Sequence, residues 1–151
     1  MKHITFYSAF IRLFTLITLC FAGFSFGNNL GLDSYEVYLN NKLILKQSVN
    51  QPLNLRVLQL GKANDKDQLR INYMHCDVKG AGTERSIVLK DEQGNILKKW
   101  GFANPSTSNL SMEISVKELL QLEKANANHK LSLYYIANGL PKGEMLGLLR
   151  F

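Results

Sequence analysis

The run Q-L-R-I-N-Y-M-H-C-D at residues 68–77 constrains the fold more than any other stretch of the chain. Leu69, Ile71, Tyr73 and His75 alternate with Arg70, Asn72, Met74 and Cys76, the period of two that lets a strand bury one face and wet the other. A central strand is predicted here, with His75 on the apolar face beside Tyr73, and Cys76 with Met74 on the other.

The same period recurs along the chain. Tyr35, Val37 and Leu39 alternate, Asn40-Asn41 turns, and Leu43 and Leu45 return, which reads as a hairpin. Behind Pro52, Leu53, Leu55 and Val57 alternate with Asn54 and Arg56, a third strand. S-I-V-L-K-D and I-L-K-K-W-G-F flank a turn at Gly94-Asn95. Leu110, Met112 and Ile114 supply another strand. K-L-S-L-Y-Y-I and M-L-G-L-L-R-F are the last two, separated by a loop with Gly139, Pro141 and Gly143. The pattern breaks once, where Ser115 and Glu118 form a capping box ahead of Leu119, Leu120 and Leu122 and predict a short helix from Ser115 to Lys124. A parallel α/β sheet needs a helix after most strands, and one helix excludes it. The prediction is an all-β, antiparallel, immunoglobulin-like β-sandwich of about seven to eight strands with one short crossover helix.

The first 27 residues have a different character. Lys2 and Arg12 precede the uncharged run from Leu13 to Phe26, shorter than the roughly 20 apolar residues a bilayer span needs. Small residues at Ser25 and Gly27 complete the layout of a signal peptide cleaved after Gly27, leaving a single domain at residues 28–151 that is secreted or periplasmic and no longer tied to a membrane. Leu19 ahead of Cys20 argues against a lipoprotein. Cleavage reduces the 18 basic residues to 16 against 12 acidic ones, a net charge of +4. Lys98 and Lys99 are the only adjacent basic pair, so no stripe exists to track phosphates and nucleic acid is excluded as a partner. Cys76 is left as the single cysteine of the mature chain, so its 124 residues must be held by their core alone.

Four stretches, S-Y-E-V-Y-L-N-N-K at residues 34–42, the His75-Cys76 pair, K-D-E-Q-G-N-I-L-K-K-W at residues 90–100 and V-K-E-L-L-Q-L at residues 116–122, give the chain a likeness. It resembles small secreted bacterial proteins of unknown function with a single β-sandwich-like domain. The resemblance implies a bacterial envelope or secreted setting. It carries over no functional residue.

Chemistry is concentrated at the end of the central strand. Met74, His75 and Cys76 are candidate metal ligands, with copper the matching ion, because two sulfurs on one face suit Cu(I). His75 and Cys76 point to opposite faces of a regular strand and join one site only through a bulge. The two arms of a C-x-x-C or H-x-x-x-H zinc site are absent. The bland reading has His75 capping the apolar face and Cys76 packing as a small hydrophobe beneath the loop to Arg85. Between them stands Cys76 as a reactive thiol, lowered in pKa by His75 and Arg85, or as the link of a disulfide dimer.

No G-x-S-x-G, H-E-x-x-H or paired-carboxylate motif occurs, and only His75 and His129 survive processing, so no enzyme is predicted. Gly80-Ala81-Gly82 does not lead into a helix and reads as a turn. Asp65 and Asp67 lack the further acidic residues and glycine of a calcium loop. Eight aromatics in the mature chain remain, including Tyr134 and Tyr135, which must face opposite ways on one strand. The predicted function is a non-catalytic binding or interaction module, holding a protein or glycan through exposed aromatics or an edge strand and needing no cofactor. Thiol or copper chemistry at Cys76 is the alternative.

Overall fold

The computed structural model describes residues 32–76, 82–105 and 111–151, which belong to one compact unit, Gly31–Phe151. The predicted signal peptide at residues 1–27 with Cys20, the loop residues Asp77 to Ala81, and Leu110 lie outside the described residues.

Alternation produces the elements it implies. Strands β1 (Ser34–Leu39) and β2 (Lys42–Ser48) pair as an antiparallel hairpin. Asn40 takes the turn with φ of 54°, a left-handed conformation that asparagine tolerates better than most residues. Strand β4 (Gln68–Met74) buries Leu69, Ile71 and Tyr73 and turns Arg70 and Asn72 outward. With β7 (Ser111–Ser115) it completes a four-stranded sheet ordered β2-β1-β4-β7. The second sheet contains β3 (Val57–Gln59), β5 (Ser86–Lys90), β6 (Ile96–Gly101), β8 (Ser132–Ala137) and β9 (Leu140–Arg150), ordered β3-β9-β8-β5-β6. The core lies between them, built from inward residues of both sheets such as Val37, Ile71, Ile114, Leu89, Leu133 and Leu146.

Among the described residues, nine strands in two sheets make an all-β sandwich. Its connectivity is of the immunoglobulin kind: β1, β4 and β7 hold the A, B and E places, and β9-β8-β5-β6 reproduce G-F-C-C′. One crossover between the sheets is helix α1 (Val116–Ala125), which joins β7 to β8 and buries Val116 and Leu119.

Four local expectations are corrected. Residues Leu53–Leu55 form a 3₁₀ turn, and only Val57–Gln59 is strand. The turn reverses the predicted facing, leaving Leu53 and Leu55 exposed and Arg56 only 2% exposed. Strand β3 lies parallel to β9, so the sandwich is not wholly antiparallel. The loop predicted around Pro141 and Gly143 is strand, because β9 starts at Leu140 directly after the Asn138-Gly139 turn and runs for 11 residues. Ser115 stands at the helix N-cap without a capping hydrogen bond from its side chain. Glu118 instead accepts from the Trp100 indole at 2.7 Å and pairs with Lys98 at 2.7 Å, which fastens α1 to β6.

Candidate functional site

Period-two alternation places Tyr73 inward near the end of β4, where Ser34 of β1 pairs with Met74. On the opposite sheet the same alternation sends Tyr135 of β8 inward and Tyr134 outward, the split expected of two adjacent tyrosines. Tyr134 lies under the Lys90 ammonium, 4.4 Å from its ring centre, while Tyr135 is 1% exposed. The Tyr73 and Tyr135 rings meet across the sandwich with centroids 4.1 Å apart and planes inclined by 15°. Tyr35 stacks behind Tyr73 at 6.3 Å. Three tyrosines therefore join the sheets at one end of the core.

His75 follows the last residue of β4 and keeps to the Tyr73 side, as alternation requires. Its ring lies 4.8 Å from Tyr73 and 5.5 Å from Tyr135. Nδ1 is 3.1 Å from Asp33 Oδ2, and Nε2 is 3.0 Å from the Tyr135 hydroxyl. Asp33 also accepts the Tyr73 hydroxyl on Oδ2 at 3.0 Å and the Cys76 amide on Oδ1 at 2.8 Å. One carboxylate ahead of β1 thus organises the whole end of β4. The alternation of the central strand holds no signal for Asp33, whose role appears only when β1 pairs with β4 and brings residue 33 beside residues 73–76.

Gly82 closes the arrangement. Its φ is +85°, and a Cβ there would stand 2.8 Å from His75 Cδ2 and 3.5 Å from the Tyr135 hydroxyl. Only a glycine lets the backbone lie this close to the imidazole. The chain is held at this place by a hydrogen bond from the Asn138 amide to the Thr83 carbonyl, 2.8 Å, which ties it to the β8–β9 turn. Arg85, 5% exposed, donates from Nε to the Ala103 carbonyl at 2.6 Å. Desolvation holds its pKa below the ordinary arginine value.

These groups line a cavity of about 270 Å³ whose wall comprises Tyr73, Met74, His75, Gly82, Arg85, Pro105 and Tyr135. It lies at the end of the sandwich where the β4-to-β5 and β8-to-β9 connections meet. Burial pushes the Tyr135 phenol up to about 12, and it pushes Tyr73 higher still, with the Asp33 charge and hydrogen bond adding to the effect. Both phenols therefore remain protonated hydrogen-bond donors through the physiological range.

Of the sequence candidates, His75 and Met74 line the cavity, whereas Cys76 is exposed. The expectation of a buried Cys76 is corrected for a physical reason. The strand has ended, and the Asp33 carboxylate draws the Cys76 amide outward. Both ring nitrogens of His75 already have other partners, Asp33 and the Tyr135 hydroxyl. Among the described residues no three His, Cys, Asp or Glu side chains gather as a ligand set. Tyr38 on the outer face lies under the Arg70 guanidinium, 4.7 Å from its ring centre. Asp67 binds back to Asn40 and to the Asn64 amide and so closes its own loop. None of the protein-family models, curated proteins or solved structures compared with this chain matches it.

Proposed function

We propose that this protein is a non-catalytic, secreted or periplasmic β-sandwich that binds a ligand in the cavity at the end of β4. One observation carries this reading: the polar groups of the cavity wall are turned on each other, both nitrogens of His75 and both oxygens of Asp33 having partners within 3.1 Å. Such a wall is pre-organised, which lowers the entropy lost on binding, and its mixture of aromatic rings with a few oriented polar atoms is that of a small-molecule pocket. Chemistry would require a base with a free lone pair near a nucleophile. His75 has its nitrogens committed elsewhere. Support by analogy comes from immunoglobulin variable domains, whose recognition loops include the B–C and F–G connections, the end on which this cavity opens. The extracytoplasmic setting rests on the signal-peptide layout of residues 1–27.

Protein-detected NMR with a set of small aromatic and polar fragments tests the proposal. Binding is expected to shift resonances of Tyr73, His75, Gly82 and Tyr135 together. Shifts scattered over the surface, or none, would overturn it.

A second reading has its own observation. Cys76 and Met74 are both exposed at one strand end, as a thiol-reactive or copper-binding site would need. Labelling of Cys76 faster than that of a free cysteine, a reductant-sensitive dimer, or Cu(I) retained by the wild type and lost from Cys76→Ser would favour that reading. A monomer that holds no copper and reacts with thiol reagents no faster than a free cysteine removes it.

A further inference from the structure

The turn that joins β8 to β9 holds Asn138-Gly139, the only place in the chain where glycine follows asparagine. That order of residues has a chemistry of its own. The side-chain amide of an asparagine ends in an electrophilic carbon, Cγ, on which the next backbone nitrogen can close a five-membered ring. A side chain on the following residue obstructs the closure. Glycine has none and turns through more of backbone space than any other residue.

The fold leaves this pair open to the reaction. Both residues are exposed. Gly139 has a φ of +89°, and nothing lies within 4 Å of where its Cβ would stand. Among the described residues neither the Asn138 side-chain amide nor the Gly139 N–H has a hydrogen-bond partner. Asn40, Asn95 and Asn126, by contrast, donate their side-chain amides to Asp67, Asp91 and the Leu122 carbonyl. The peptide plane between Asn138 and Gly139 must turn for the ring to close. Among the described residues it is held by one bond, from the Gly82 amide to the Asn138 carbonyl, at 3.4 Å, longer than an ordinary N–H···O contact.

We propose that Asn138 is a site of spontaneous self-modification in the folded protein, with water as the co-reactant, and that its isoaspartate product loosens the chain segment lying against His75. The Gly139 N–H gives its proton to solvent base, and the nitrogen attacks Asn138 Cγ. The new C–N bond forms as Nδ2 leaves with a proton as ammonia, which yields a cyclic imide. Water then opens the imide at one of its two carbonyls. Attack at Cγ restores the ordinary backbone with an aspartate side chain. Attack at the other carbonyl routes the backbone through Cγ and leaves the former Asn138 carbonyl as a carboxylate, which is isoaspartate. Either way an amide and a water become a carboxylate and ammonium, and the turn gains one negative charge.

The two products differ in what they do to the fold. Isoaspartate adds a methylene to the backbone of a two-residue turn, between Ala137 and Leu140, which pair directly. It also removes the carbonyl that accepts the Gly82 amide, beside the bond from the Asn138 amide to the Thr83 carbonyl at 2.8 Å. These two contacts hold Gly82 where a Cβ would be 2.8 Å from the His75 ring. The aspartate product keeps the backbone and both contacts.

Incubation of the purified protein in mildly alkaline buffer, followed by peptide mapping, tests this. The mass gain of amide-to-acid exchange is expected first in the peptide containing Asn138. Ammonia should be released with it, and that peptide should accept methyl groups from an isoaspartyl methyltransferase with S-adenosylmethionine as donor. The rate should rise with pH, because the Gly139 N–H must lose its proton. Asn138→Gln, whose longer side chain would have to close a six-membered ring, should stay unmodified over the same period. Once separated by ion exchange, the isoaspartate form should show shifted Gly82 and His75 resonances, whereas Asn138→Asp should leave them in place. An Asn138 that remains an amide in the folded protein, while a peptide of sequence I-A-N-G-L or the urea-unfolded chain reacts, overturns the site. Isoaspartate at position 138 with unmoved Gly82 and His75 resonances overturns its effect on the cavity.

Discussion

Gly82 controls the cavity through the atom it lacks. Its φ of +85° disfavours any side chain, and its missing Cβ is the space His75 occupies. Gly94 has almost the same φ, +86°, but nothing within 4 Å of a Cβ there. Gly94→Ala is therefore expected to cost only the left-handed penalty of about 1–2 kcal/mol. Gly82→Ala should cost more and also displace the His75 ring, visible as altered His75 resonances and a lower denaturation midpoint. The tyrosines make a second prediction. Tyr35 donates to the Leu146 carbonyl at 2.7 Å across the sandwich, so Tyr35→Phe should lose roughly 1–2 kcal/mol in urea denaturation by orphaning a buried acceptor. Burial holds the Tyr35 and Tyr135 phenols up to about 12 and Tyr73 higher. The neutral phenol is the form favoured in the folded state. Its contribution is complete below the unfolded value near 10 and fades as pH rises towards 12. Alkaline unfolding should coincide with a late, cooperative rise in phenolate absorbance.

Helix α1 shows how local signals can be right about an element and wrong about its anchor. Ser115 and Glu118 mark the helix start to within a residue, yet the capping box does not form, because Glu118 finds a stronger donor set in Trp100 and Lys98. Ser115→Ala should accordingly cost under about 0.5 kcal/mol, less than the ~1 kcal/mol typical of a working cap. Glu118→Gln should shift emission of Trp100, the single tryptophan, and loosen α1 from β6. Hydrogen bonds from Lys98 and then from Trp100 hold the Glu118 pKa below the ordinary carboxylate value. Its contribution is present above the unfolded pKa and is lost as pH falls through the depressed folded value. Acid should thus change Trp100 emission before global unfolding, a step absent in Glu118→Gln.

For the molecule as a whole, Arg56 is the tie between distant parts. It is 2% exposed and pairs with Glu144, while donating to the carbonyls of Met145, Val49 and Gln51. The chain between β2 and β3 is thereby fixed to β9, next to the parallel β3–β9 pair. Removing one partner of a buried ion pair leaves the other uncompensated, so Arg56→Met should cost about 3–5 kcal/mol in urea denaturation. Adding Glu144→Gln should recover part of that loss, because the stranded charge is then gone.

Alternation in residues 34–39 and 68–74 was sufficient to place strands and their buried faces, since a period of two leaves each side chain one choice of face. It also announced that Tyr134 and Tyr135 part and that His75 stays with Tyr73. It misled at residues 53–57, where a 3₁₀ turn exchanges the faces and a carbonyl cage makes the buried position of Arg56 tolerable. The cavity was the least legible feature. Asp33, Gly82, Arg85 and Tyr135 carry no common motif, and they meet only because β1 pairs with β4, the two sheets close face to face, and the β8–β9 turn holds the chain at Thr83. Periodicity is a short-range property read from neighbours in the chain. Sites of this kind depend on register and packing between segments as much as 60 residues apart, the separation of His75 and Tyr135, and those are decided by the burial of both sheets at once.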